Sequence, residues 1–173
     1  MKTKRLITCA MLTAMYIVLS MLSLNLGNMK ITVDSLPIIV GSVLFGPLMG
    51  ALIGLLGSFL NQMLTFGFTA TTLLWILPAG VRGLMVGLYA KQKKYELSRK
   101  NLIFILVASS LVVTTLNTAV IYLDSVIYGY YSFAYVFGTL ILRYISGALT
   151  AVVLATIVPP LIKPLKKAMP TNM

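Results

Sequence analysis

Long uncharged apolar runs, divided by short basic segments, constrain this chain more than any motif in it. Lys2, Lys4 and Arg5 precede a stretch without charge from Leu6 to Leu26. At about 1.5 Å per residue that is enough helix to cross a hydrocarbon layer roughly 30 Å thick. Comparable runs follow along the chain, and 59% of its residues are hydrophobic against 10% charged, a balance that water-soluble domains do not show. The pattern predicts an all-α membrane protein of one domain, residues 1–173, with helices over about 6–26, 36–45, 48–66, 71–90, 101–125 and 133–162.

The connectors have their own chemistry. Gly27–Ser35 (GNMKITVDS) alternates polar and apolar residues around Lys30, Ile31 and Asp34, which predicts a short structured outer loop, extended rather than helical. Gly46-Pro47 and Gly67–Ala70 break the helical pattern, Pro78 predicts a kink in the fourth helix, and Pro159-Pro160 predicts the end of the sixth. Leu36–Phe45 is too short to cross upright, and tilt or local thinning of the bilayer would accommodate it.

The net charge of +11 would raise the question of nucleic acid in a soluble chain. Here the basic residues gather at the N-terminal segment, in Lys91–Lys100, and at Lys163, Lys166 and Lys167. With six spans these three segments share one face. The positive-inside rule makes that face, and both termini, cytoplasmic, with Tyr128–Tyr131 at the outer interface. A multi-pass membrane protein follows, and no nucleic acid partner is needed.

Several chemistries are excluded. Cys9 is the single cysteine and there is no histidine, so neither a disulfide framework nor a metal-ligand spacing exists. Leu6-Ile7-Thr8-Cys9 faintly resembles a lipoprotein box, but only three residues separate Cys9 from Arg5, and the better reading is an uncleaved first helix. No phosphate-cradling G-x4-G-K-[ST] run is present, nor a paired-carboxylate or nucleophile–base set. The chain reads as a binder without a cofactor rather than an enzyme.

Two arginines remain inside apolar helices, Arg82 and Arg143. Counted from the outer ends of their helices, both fall roughly 15 Å deep, with Asn61 and Gln62 at about 8–9 Å and Asn117 at about 12 Å. A buried cation costs about 2.5–3.5 kcal/mol on insertion scales, so such residues persist where a cavity or partner offsets the cost. The carboxylates Asp34, Glu96 and Asp124 all lie near loops. An anionic or carbonyl-rich ligand suits the guanidinium groups, and Trp75 and Tyr122 are placed to stack on a flat ring. The competing reading is a structural cluster in which the arginines satisfy backbone carbonyls. Small residues four apart (Gly46-x3-Gly50-x3-Gly54, Gly83-x3-Gly87, Gly147-x3-Ala151-x3-Ala155) predict close helix packing.

The six short helices, the basic ends, Ala10-x3-Ala14 in the first helix, and the runs LPIIVGSVLFGPLMGALIGLLGSFLNQMLTFG (36–67) and TLLWILPAGVRGLMVG (72–87) resemble the S components of energy-coupling factor (ECF) vitamin transporters, and among them the folate-specific S component. That resemblance implies a vitamin-binding subunit that joins a transmembrane coupling protein and two ATPases. It implies contact with the coupling protein through Ala10 and Ala14, and a gate in the first outer loop at Lys30, Ile31 and Asp34. The alternatives are an S component for another flat vitamin such as riboflavin, a self-sufficient secondary carrier or channel, and a membrane scaffold. Thiamine, a cation, is disfavoured by two buried arginines.

Overall fold

The computed structural model describes residues 2–22, 24–26, 29–31 and 33–168, with side chains over 5–22 and 33–165. In chain order the elements are α1 (Lys2–Met21), β1 (Leu24–Leu26), β2 (Met29–Ile31), α2 (Ser35–Phe45), α3 (Pro47–Phe66), α4 (Thr72–Gln92), α5 (Arg99–Ile127), α6 (Phe133–Phe137) and α7 (Leu140–Ala168). Among the described residues, α3, α4, α5 and the segment Phe133–Leu165 are long and apolar enough to cross a membrane, while α1 and α2 are shorter apolar helices. Of the six expected helices, four are long enough to cross among the described residues; α2 is short, as its sequence implied, and α1 is shorter than expected.

The short α2 organises the rest. Its 11 residues make roughly 16 Å of helix, about half a hydrocarbon thickness. It is apolar on all sides and buried from Ser35 to Leu44 apart from Leu36, as expected of a helix enclosed by neighbours. α1, α3, α4 and α7 surround it, and Ile38, Ile39, Val43 and Leu44 join Ile53, Val86, Leu106 and Leu154 in the main core. Because α2 is short and central, its N-terminus lies inside the bundle, and this sets the depth of Asp34 and Ser35.

α3 and α4 form the most extensive helix pair, through contact of backbone on backbone. A Cβ on Gly54 would stand 2.4 Å from the Ala79 carbonyl oxygen, and one on Gly83 would stand 2.3 Å from the Gly50 carbonyl carbon. A Cβ on Gly87 would stand 2.4 Å from Pro47 Cα. The spacing of small residues thus places Arg82 beside a seam that cannot widen without cost.

Three boundaries depart from the sequence expectation. α1 stops at Met21 rather than near 26, because Leu24-Asn25-Leu26 pairs antiparallel with Met29-Lys30-Ile31, Leu24 opposite Ile31. The extended loop is thus a hairpin that begins earlier than expected, and its second strand packs on α7. The single sixth helix is broken into α6 and α7 around Gly138-Thr139. The carbonyls of Tyr135 and Val136 accept from the Arg143 guanidinium at 3.5 and 3.3 Å, a side-chain replacement for the backbone bonds a helix end lacks. Finally, α7 continues through Pro159 and Pro160 to Ala168. Val158 and Ile162 are buried on either side of that pair, and packing of this kind tolerates proline within a membrane helix.

Candidate functional site

At the end of the bundle carrying the Gly67–Ala70 turn, two hollows share Arg82, Val113 and Asn117 as a common wall. The first, about 200 Å³, lies between α5 and α7 and is lined by Ser110, Thr114, Arg143, Ser146 and Thr150, with Ile39 of α2 behind. The second, about 160 Å³, is enclosed by Tyr16 of α1, Asp34 and Ser35 at the N-terminus of α2, Ser58 of α3, and Trp75 and Pro78 of α4. Arg82 is the partition between them. Its Nη1 donates to Ser35 Oγ, while its Nε is buried without a hydrogen-bond partner among the described residues.

Arg82, Arg143 and Asn117 are therefore brought together around one hollow, and Trp75, Asp34, Arg82 and Asn117 around the other. Arg143 is half satisfied by the α6 carbonyls, in the manner of the structural-cluster reading. Asp34 is not remote from the arginines as its loop position suggested. The buried α2 carries it down to line the same hollow as Arg82, and its Oδ1 accepts from Ser35 Oγ at 3.1 Å.

Asn61, Gln62 and Tyr122 line neither hollow. Asn61 has the expected depth but a different azimuth: its Oδ1 accepts from Ser20 Oγ of α1 at 2.8 Å. Gln62 lies one turn beyond Ser58 toward the Gly67 turn. Tyr122 follows Asn117 by five residues, about 140° around the helix. It is 42% exposed and meets Tyr131 edge-on at 5.5 Å. Side chains at Lys30 and Ile31 lie outside the described set, and only their strand backbone is placed. Ala10 and Ala14 are exposed on the face of α1 opposite buried Cys9, Leu12, Thr13 and Tyr16.

Above the hollows, at the end of the bundle carrying the Gly67–Ala70 turn, Asp124 ties three segments together. It is buried, and its Oδ1 accepts from the Thr71 hydroxyl and, at 3.2 Å, from the Trp75 indole N–H. Its Oδ2 accepts from Tyr130. Trp75 thus lines a hollow with an anchored ring. The Tyr130 phenol, outside the helices, is held protonated above its ordinary range chiefly by that bond to Asp124.

Sequence reasoning missed Tyr16, Ser35, Ser58 and the hydroxyls of α5 and α7. Ser110 and Thr114 at i, i+4, in register with Asn117 at i+7, were a legible polar stripe. Nothing local marks Tyr16, which fits because Gly57 leaves its ring room: a Cβ there would lie 2.7 Å from it. Among the described residues, no His, Cys, Asp and Glu cluster suits a metal ion.

A helical bundle with paired, polar-lined hollows at one end, held in apolar helices long enough to cross a membrane, is the architecture of a membrane-embedded small-molecule binder. The family model described as "ECF-type riboflavin transporter, S component" matches residues 1–167, and the chain belongs to that family. It is thus an S component, a multi-pass membrane transport subunit. A solved structure of the S component of a bacterial ECF transporter is similar in fold, with a TM-score of 0.69 at 24% identity, covering 96% of this chain and 99% of that one. No match was found among curated proteins.

Proposed function

We propose that this S component binds a folate-type vitamin and hands it across the membrane with a coupling protein and two ATPases. The observation that carries the reading is the pair Arg82 and Arg143 on one hollow, with the buried Arg82 Nε lacking a partner among the described residues. Folate presents a flat pterin, an aminobenzoyl ring and a dianionic glutamate. Its carboxylates match two guanidinium groups in charge and in fork geometry. Either hollow alone is below the roughly 300–1,000 Å³ of small-molecule sites, so a ligand of this length occupies both, passing Arg82. Trp75 offers an aromatic face along that path. Asp34 lines the second hollow beside Arg82 and Trp75, whereas Asp124 is engaged by Thr71, Trp75 and Tyr130. Exposed Ala10 and Ala14 let a partner helix approach α1 closely, and the hairpin over α7 forms the gate.

Riboflavin is the second reading, favoured by the name of the family and by the hydroxyl-lined wall. Its lack of charge in its isoalloxazine and ribityl parts leaves both arginines without a counter-ion, which ranks it below folate.

Titration of the purified chain with folic acid, riboflavin and thiamine tests this. Folic acid should bind tightest, and Arg82→Ala or Arg143→Ala should each cost about 2–5 kcal/mol of its binding energy. Tighter binding of riboflavin, unaffected by either substitution, would replace folate as the ligand. Ligand uptake by vesicles holding this chain alone, without ATP, would instead mark a self-sufficient carrier.

A further inference from the structure

The α5–α7 hollow is chemically polarised along its length. Asn117 and Arg143 stand toward one end. Ser110 lies seven residues from Asn117 along α5, about 10 Å, and Gly147 and Thr150 lie about 6 and 10 Å past Arg143 along α7. One end is cationic, the other bears hydroxyls.

Those hydroxyls differ in what they already do. Ser109 donates to the Leu106 carbonyl at 3.0 Å and Ser146 to the Arg143 carbonyl at 3.1 Å, the ordinary behaviour of serine within a helix. Ser110, Thr114 and Thr150 make no such bond among the described residues, although Ser110 and Thr114 are buried. A Cβ on Gly147 would lie 2.8 Å from Ser110 Oγ and 3.1 Å from Thr114 Oγ1. Both oxygens therefore face the one position on α7 that has no side chain.

We infer that Ser110, Thr114 and Thr150 form a subsite that reads the edge of a neutral, planar heteroaromatic ring, and that Gly147 keeps it open. A hydroxyl both donates and accepts, so three of them accommodate a ring edge on which nitrogens, N–H groups and a carbonyl alternate. Ile39, Val113 and Leu154 supply apolar surface for the ring faces. The assignment rests on the folate reading and orients the ligand: pterin at the hydroxyl end of this hollow, with the glutamate running past Arg143 to the Arg82 partition and the second hollow.

The test titrates folic acid, pteroic acid (no glutamate) and p-aminobenzoylglutamate (no pterin) against wild type, Ser110→Ala/Thr114→Val and Gly147→Ala. Circular dichroism and thermal melting confirm that each variant folds. The hydroxyl variant should weaken folic acid and pteroic acid by about tenfold or more and leave p-aminobenzoylglutamate unchanged, with Gly147→Ala following the same pattern. Folded hydroxyl variants that bind folic acid as wild type does, or that lose only the glutamate-bearing fragment, would overturn the subsite. Wild-type protein that binds none of the three ligands would overturn the folate reading itself and this assignment with it, a result distinct from normal wild-type binding with unaffected variants.

Discussion

The Trp75 indole N–H donates to Asp124 Oδ1 at 3.2 Å, joining α4 to α5 above the two hollows. Thr71 and Tyr130 donate to the same carboxylate. Replacing Asp124 with Ala strands three donors at once, two of them from helix α4 and its N-terminal cap. Hydrogen bonds to a charged group contribute about 1.5–3 kcal/mol each, so Asp124→Ala should lower stability by at least about 2 kcal/mol. Thermal unfolding in detergent should show a fall of several degrees, and Asp124→Asn, which keeps an acceptor oxygen, a smaller one.

Trp75 is the single tryptophan of the chain and lines one hollow, so tryptophan emission, excited selectively over the tyrosines, reports on that site. Saturating folic acid should quench or shift the emission with the same midpoint that calorimetry gives. Arg82→Ala should move both midpoints together.

The Tyr130 phenol is raised above its ordinary value of 10.0 by its bond to Asp124. A raised folded-state value means that this contact stabilises the fold fully below pH 10 and is lost as pH climbs toward the folded value. Phenolate absorbance at pH 10 should therefore be the same in wild type and Tyr130→Phe, since Tyr130 is still protonated there. A clear deficit in the variant would contradict the bond.

Gly83 and Gly147 should respond differently to alanine. At Gly83 the new Cβ would meet the Gly50 backbone at 2.3 Å, which only a shift of α3 against α4 can relieve. Overpacking of this kind costs about 1–3 kcal/mol. At Gly147 the nearest atoms are hydroxyl oxygens that can rotate. Melting temperature should fall clearly in Gly83→Ala and little in Gly147→Ala.

Ala10→Trp and Ala14→Trp should block co-purification with the coupling protein while leaving folic acid affinity unchanged, because both positions are exposed and line neither hollow. Loss of ligand binding in either variant would place the Ala10–Ala14 face of α1, and not only Tyr16, in the site rather than at the partner surface.

How much of this was legible in the residues depends on the dimension considered. Hydropathy placed the long helices, and α3 and α4 begin and end within two residues of expectation, since Gly46, Pro47 and Gly67 punctuate them. Depth was also legible, because rise per residue is constant: Arg82, Asn117 and Arg143 share a hollow. Azimuth was not. Asn61 and Tyr122 have suitable depths yet turn to α1 and to Tyr131, since which face of a helix looks inward is settled by its neighbours.

By itself the sequence determined that the chain is a bundle of apolar helices with two arginines inside it, because charge patterning and hydrophobic length act locally. Only the tertiary structure decided what those arginines face. Burial of the short α2 on every side lowers Asp34 and Ser35 to the level of Arg82, and the bare backbone at Gly147 leaves Ser110 and Thr114 open to the hollow. Both arrangements arise from packing between segments far apart in the chain, where no local pattern carries the information.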